Sequence, residues 1–142
     1  MIKATYDTNV LASGSVSPQG QTTAFVIDAW VNDDLELITS EPLIIELSRT
    51  LEKSYFTSRL TRKQIQSFIY LVRERAIIVQ ITAQIPKVAT HPEDDMVLAT
   101  AESGKAKYIV TGDYGLQDMK QYKNIQIVSP QAFRIILLSK TL

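Results

Sequence analysis

Short apolar runs alternate with longer segments of helical periodicity along the whole chain. The apolar runs are bounded by turn residues and predict strands at 2–6, 35–39, 76–81, 107–111 and 125–128. Apolar residues spaced three and four apart predict helices at 21–32, 40–51, 61–75, 92–104 and 130–139. Residues 13–20 contain two glycines, one proline and three serines, so they predict a loop. The predicted helix caps include Ser40 and either Thr90 or His91.

Strands that alternate with helices imply right-handed crossovers and parallel strand pairs. We therefore predict an α/β fold, a three-layer α/β/α sandwich around a mostly parallel five-stranded sheet, in one domain that spans residues 1–142. In such sheets the binding crevice lies beyond the carboxyl ends of the strands. The residues that follow the strands are therefore the first candidates for binding and catalysis.

Composition narrows the possible chemistry. The 142 residues are 45% hydrophobic, which is enough for a buried core, and the formal net charge is zero, so a polyanionic partner would need a local basic patch. The chain has no cysteine, which excludes disulfides and thiolate ligands, and its one histidine is His91. No apolar stretch is long enough to span a membrane and no secretory signal begins the chain, so we expect a soluble cytoplasmic protein.

Acidic residues recur beside the ends of the predicted strands. Asp7 follows the first strand and Asp113 follows the fourth, while Glu46 lies on a predicted helix and the pair Asp94 and Asp95 begins another. Carboxylates that lie close together repel each other unless a cation lies between them. Oxygen ligands of this kind suit Mg²⁺ or Mn²⁺, and such ions catalyse phosphoryl and phosphodiester transfer.

Each acid also has a purely structural interpretation. Asp7 is a common turn residue after a strand, and Glu46 can form a surface ion pair with Arg49 three residues later. Asp94 in a first helical turn complements the helix dipole. Asp95 precedes an almost wholly apolar helix, so of the neighbouring pair it is the predicted ligand.

Four motifs in register resemble the acidic motifs of the PIN domain family, in particular its VapC-type ribonucleases of toxin–antitoxin pairs. They are YDTNVL at 6–11, ELSRTL at 46–51, DDMVLA at 94–99 and IVTGD at 109–113. Residues 13–18 resemble the first loop of that branch and residues 128–133 its last junction between strand and helix. The resemblance thus extends over nearly the whole chain.

The resemblance implies a ribonuclease that depends on Mg²⁺ or Mn²⁺. Its acidic site would consist of Asp7, Glu46, Asp95 and Asp113. Asp7 and Asp95 would bind the metal directly, and Asp113 would bind it directly or through a water. Glu46 would be a ligand or the group that orients the attacking water. The side chains expected to support the site by hydrogen bonds or from a neighbouring position are Thr8, Asn9, Thr111 and Asp94. For Thr8, a turn-capping role is an equal alternative.

Two positions depart from the family pattern. Gly115 stands where relatives often carry another acid, and His91 stands where an aspartate often precedes the proline. Fewer acids favour one metal ion over two, and His91 is either a ligand or a helix cap. The departures also keep open a catalytically inactive module that binds RNA or protein. A phosphatase of the haloacid dehalogenase type is disfavoured because Asn9 replaces the second aspartate that it needs.

A local basic segment is the predicted contact for RNA. Its cations are Lys53, Arg59, Arg62 and Lys63. No acid interrupts residues 53–63, and Tyr55 and Phe56 lie among the cations, where they either stack on bases or pack into the core. The resemblance further implies two possible protein partners, a cognate antitoxin and a second copy of the chain.

Overall fold

The computed structural model describes residues 1–85, 87 and 92–140, and of residue 93 only the backbone. Its elements in chain order are β1 (Lys3–Tyr6), α1 (Thr8–Val16), α2 (Thr22–Val31), β2 (Glu36–Thr39), α3 (Glu41–Leu51), α4 (Ser54–Thr57), α5 (Arg62–Arg75), β3 (Ile77–Ile78), α6 (Pro92–Ser103), β4 (Tyr108–Val110), α7 (Tyr114–Met119), β5 (Gln121–Tyr122), β6 (Ile125–Val128) and α8 (Pro130–Ser139). The predicted caps Thr90 and His91 lie outside the described residues.

The sheet confirms the predicted class, with one strand more than expected. The strand order is β3-β2-β1-β4-β6-β5, and every neighbouring pair is parallel except β5 with β6. The predicted number of five strands was therefore wrong. The strand that was not predicted is β5, whose two residues are too few to produce an alternating pattern. It pairs with β6 across a tight turn in which Lys123 adopts a φ of 53°.

The two faces of the sheet support separate cores because side chains alternate along each strand. Tyr6 and Leu37 face a core completed mainly by α1, α2, α3, α5 and α8. Ile38 and Ile109 face the opposite core, which α6 and α7 cover. The arrangement is the predicted α/β/α sandwich.

The predicted loop at 13–20 was wrong in its first half, because α1 extends to Val16. Gly14 lies in this helix where α1 packs against α2, and a Cβ atom there would lie 2.2 Å from Cγ1 of Ile27. The hydroxyls of Ser15 and Ser17 donate to the carbonyls of Ala12 and Ser13 within the same segment. Glycine and serine therefore serve helix packing here, whereas in a sequence they indicate a loop.

We expect Gly14→Ala to destabilise the fold. The new methyl group must displace Ile27 inside a packed core, which costs about 1 to 3 kcal/mol and outweighs the better helix propensity of alanine. Gly112→Ala is the matched control, because a Cβ atom there meets nothing within 4 Å. Urea unfolding should place the control within about 0.5 kcal/mol of the parent protein. Equal stability of Gly14→Ala and the parent would contradict this packing.

The other predicted helices are confirmed, and their starts show which side chains cap them. Thr61 forms a reciprocal capping box with Gln64 at the start of α5, and the Ser129 hydroxyl accepts from Ala132 N–H at the start of α8. Ser40 precedes α3 as predicted, but its hydroxyl hydrogen bonds with that of Thr100 on α6 at 2.8 Å instead of capping the helix. This contact joins α3 to α6. In the part of the chain that the structure describes, no helix combines the length and apolarity that crossing a membrane requires.

Candidate metal centre

The predicted acidic residues belong to elements that meet at one edge of the sheet. β1 and β4 are parallel neighbours, so Asp7 and Asp113, which follow them, lie at the same edge. The N–H of Asp7 donates to the carbonyl of Val110 at 2.9 Å, which holds the two strand ends together. α3 begins directly after β2 at this edge. α6 leads into the opposite end of β4, so its first turn also lies here.

Asp7 is a buried carboxylate, with 6% of its surface exposed. Its Oδ2 accepts a hydrogen bond from the Thr111 hydroxyl at 2.7 Å. Burial raises the pKa of Asp7, the hydrogen bond from Thr111 and the backbone N–H groups of Asn9 and Thr8 lower it, and the negative charge of Asp113 raises it further. The net effect is a raised pKa. Asp7 and Asp113 are thus close enough to repel each other.

Thr111 joins the two acidic segments through one hydroxyl. The same Oγ1 atom that donates to Asp7 accepts a hydrogen bond from the N–H of Asp113 at 3.0 Å. A valine has nearly the same shape but would lose both bonds. Thr111 therefore fixes the position of Asp7 relative to Asp113, in the supporting position that the motif resemblance implies.

Asp113 is half-buried and begins α7, a helix that the sequence pattern did not predict. Its two carboxylate oxygens accept from the N–H groups of Gly115 and Leu116 at 3.4 and 3.3 Å. These bonds are long, so they hold the carboxylate loosely. The side chain of Gln117 donates to the Thr111 carbonyl at 2.7 Å and ties α7 to the end of β4. The available signal for this helix start was Asp113 itself, because aspartate is a preferred residue before the first turn of a helix.

The other three candidate acids lie on helices, two on α6 and one on α3. Asp94 and Asp95 are both buried, 8% and 7% exposed, so burial does not distinguish the predicted ligand Asp95 from its neighbour. Glu46 is half-buried in the second turn of α3, between exposed Ile45 and buried Leu47. It thus lies at the border of the apolar stripe, as the helical periodicity predicted.

Thr8 and Asn9 occupy the first turn of α1, directly after Asp7. Thr8 is buried, and its hydroxyl has no hydrogen-bond partner among the described residues. Asn9 is exposed, and its backbone N–H is one of the groups that favour the charged form of Asp7. Both residues thus support the Asp7 carboxylate through their backbone N–H groups.

The residues at this edge suit a hard divalent cation in donor type and in charge. Every acidic candidate offers oxygen ligands, and the salt bridges of residues 1–85, 87 and 92–140 include none to Asp7. Within the same residues, however, no three acidic or histidine side chains are arranged to hold a metal ion. Thr111 brings Asp7 and Asp113 together, but no third ligand is gathered around them by the residues that the structure describes. His91 lies outside the described residues.

The predicted RNA contact is an exposed basic segment, defined by Lys53, Arg59, Arg62 and Lys63. It extends from the start of α4 to the first turn of α5. The guanidinium of Arg59 lies over the ring of Tyr55, 3.7 Å from its centroid, and donates to the Tyr55 carbonyl. Phe56 is buried, so it packs into the core and is not free to stack on a base. Arg62 also lines a groove of about 720 Å³ between α3, α4 and α5.

The match of a family model identifies the family to which this chain belongs. The model described as "PIN domain" matches residues 3–115, a span that begins in β1 and includes Asp7, Glu46, Asp95 and Asp113. The chain belongs to the PIN domain family. The resemblance seen in the four sequence motifs is thereby confirmed at the level of the family. No curated protein matches this PIN domain.

Several solved structures share this fold. PAE2754 from Pyrobaculum aerophilum superposes with a TM-score of 0.65 at 16% identity, covering 97% of this PIN domain and 90% of that chain. VapBC2 from Rickettsia felis, bound to a DNA fragment from their promoter, gives 0.61 at 12%, covering 90% and 98%. FitAcB from Neisseria gonorrhoeae gives 0.59 at 21%, with the same coverages of 90% and 98%. At these identities the likeness establishes the fold.

Proposed function

We propose that this PIN domain is an endoribonuclease that depends on Mg²⁺ or Mn²⁺ and hydrolyses phosphodiester bonds of RNA in the cytoplasm. One observation carries the proposal. Asp7, inside the span that the PIN model matches, is joined through Thr111 to Asp113. Its pKa is raised, first by burial and further by the charge of Asp113. Perturbed carboxylates in such a setting are typical of functional sites, and an arrangement this unfavourable to folding is explained if a cation normally neutralises it.

The residues that would hold the ion are Asp7, Asp95 and Asp113, with Glu46 beside them. A bound divalent ion supplies an activated water and neutralises charge on the phosphate. Thr111 keeps the Asp7 carboxylate oriented by its hydrogen bond, and Asp113 presents a loosely held carboxylate that can turn toward a ligand. Glu46, half-buried on α3, orients the attacking water.

The exposed basic segment would bind the RNA backbone. Replacing Lys53, Arg62 and Lys63 together by glutamine should weaken the binding of single-stranded RNA and make it less sensitive to salt. Each lost phosphate contact reduces the slope of log K against log salt by about 0.7, so three contacts account for about 2. Anisotropy titrations in the Asp7→Asn background measure binding without cleavage. Lys105→Gln is the control, because this exposed lysine precedes β4 at the opposite edge of the sheet.

A catalytically inactive module that binds RNA or protein is the competing function, favoured by the missing cluster of three metal-ligating side chains in the described residues. Incubation of purified protein with RNA and Mn²⁺, Mg²⁺ or EDTA separates the two. Cleavage that requires the metal and disappears in Asp7→Asn and Asp95→Asn supports the enzyme. RNA binding without cleavage by the parent protein supports the inactive module.

We further propose that the chain is the toxin of a toxin–antitoxin pair. The support is the fold shared with VapBC2, which was solved with promoter DNA, and with FitAcB. The proposed partners are an antitoxin protein and a second copy of the chain. Expression of the chain alone should arrest growth, and Asp7→Asn should relieve the arrest. Unimpaired growth at matched protein levels would count against the toxin role, and light scattering of the purified chain would determine whether it dimerises.

A further inference from the structure

Tyr114 is an exposed aromatic residue directly beside a proposed metal ligand. It follows Asp113 and has 79% of its surface exposed. Among the described residues, no ring stacks on it, no cation lies over it and no hydrogen bond to its hydroxyl is present. Its large apolar ring therefore contributes nothing to either core.

The residues on either side leave the surroundings of Tyr114 open. Gly112 and Gly115 flank the Asp113-Tyr114 pair, and neither carries a side chain that would cover the ring. Apart from the adjacent residues, a Cβ atom at Gly112 would meet nothing within 4 Å, and the atoms nearest to one at Gly115 belong to the Asp113 carboxylate. Neither glycine has a positive φ that would explain its presence by backbone conformation. With 79% of its surface exposed, Tyr114 has the accessible ring that a flat ligand needs.

The backbone beneath Tyr114 is fixed to the acidic site. Asp113 caps α7, and Gln117 donates to the carbonyl of Thr111, whose hydroxyl donates to Asp7. Leu116 anchors the same helix in the core beneath α6. The backbone position of Tyr114 relative to Asp7 is thus determined by hydrogen bonds and packing, so a ligand that contacts the ring does not have to order the segment first.

We propose that the ring of Tyr114 stacks against an unpaired nucleobase of single-stranded RNA and so positions a nucleotide beside Asp113. The inference rests on the proposed ribonuclease function and names the feature of the substrate that this site recognises. Aromatic rings bind any base through its π-face, and unpaired bases are the ones available for such stacking. Duplex RNA should gain nothing from Tyr114, because its bases are already stacked within the helix.

Other exposed tyrosines of the described residues are less suited to this contact. One face of the Tyr55 ring is already occupied by the guanidinium of Arg59. Tyr70 is 66% exposed but lies on α5, which carries none of the four proposed acids. Tyr70 therefore serves as the matched control, since it has the same chemistry and similar exposure without the adjacent carboxylate.

Binding measurements in the Asp7→Asn background test the stacking without cleavage. Tyr114→Ala should weaken the binding of a short single-stranded RNA by about 5- to 100-fold, whereas Tyr114→Phe and Tyr70→Ala should stay within about twofold of the parent. Binding of duplex RNA should not change. Equal binding by Tyr114→Ala and its parent would overturn the inference and leave the ribonuclease proposal intact.

An abasic scan of the oligonucleotide identifies the base that Tyr114 contacts. With Tyr114 present, one abasic position should weaken binding strongly, and in Tyr114→Ala the same position should have no further effect. A merely structural role of Tyr114 would instead leave the effects of the abasic positions unchanged, and that result would overturn the inference. Binding with this pattern but no cleavage by the parent protein in Mn²⁺ would refute the nuclease while supporting the stacking. Absence of any RNA binding would refute both.

Discussion

Replacing Asp7 with asparagine is expected to abolish metal-dependent RNA cleavage and to stabilise the metal-free fold at the same time. Loss of a side chain that merely orients a metal ligand costs 10- to 100-fold in activity or affinity, so loss of the ligand itself should lower kcat by more than about 100-fold. Asparagine keeps the shape and can still accept the hydrogen bond from Thr111. The effect on activity is therefore one of charge.

The expected gain in stability follows from the raised pKa of Asp7. A carboxyl group whose pKa is higher in the folded than in the unfolded chain binds protons more tightly when folded. The free energy of unfolding consequently falls as pH rises from the ordinary aspartate pKa through the raised one, and above that the full cost is present. Asp7→Asn removes this cost, so its metal-free melting temperature at neutral pH should exceed that of the parent.

Thermal melts with and without Mn²⁺ check both halves of the prediction. The parent should gain stability on adding Mn²⁺, because an ion that binds only the folded state stabilises it, and Asp7→Asn should gain much less. Asp34→Asn is the control, an exposed aspartate in the turn before β2, at the other edge of the sheet. A melting temperature of metal-free Asp7→Asn below that of the parent would contradict the electrostatic origin of the effect.

Thr111→Val should lower kcat by about 10- to 100-fold while Thr111→Ser stays close to the parent. Valine removes the hydrogen bond to Asp7 and leaves the N–H of Asp113 without its acceptor, whereas serine keeps the hydroxyl. The predicted loss comes from a carboxylate that is no longer held in position.

The pH profile distinguishes this role from general damage to the fold. The hydrogen bond from Thr111 lowers the pKa of Asp7, so its removal should raise that pKa and move the acidic limb of the activity profile to higher pH. A lower rate with an unmoved profile would indicate that Thr111 supports only the fold. Circular dichroism at the assay temperature verifies that both variants are folded.

The sequence was sufficient for features that depend on repetition along the chain. Alternating strands and helices predicted the layered fold. The same pattern placed Asp7 and Asp113 after two strands, and the parallel pairing of β1 with β4, which the structure adds, brings them to one edge. Thr111 could be assigned a supporting position only through its motif. The structure adds that one hydroxyl serves both acids.

Other features depend on distances that no pattern encodes. Gly14 belongs to a helix because α2 approaches closely, and its sequence context alone resembles a loop. Whether Asp95 joins Asp7 and Asp113 around an ion depends on where the first turn of α6 lies relative to the strand ends. A small shift of this turn, which the sequence does not reveal, decides whether Asp95 only lies near the other two acids or binds the same ion. Tyr114 was not predicted as a functional residue, because the exposure of its side chain is a property of the fold.

The two outermost strands of the sheet, β3 and β5, have only two residues each. A long free edge can recruit strands from other molecules and lead to aggregation, and very short edges are one of the ways in which proteins avoid this. In the described part of the chain the sheet thus offers little backbone for a neighbouring strand to join. Contacts between copies of the chain would then rest on side chains instead of on backbone pairing between strands.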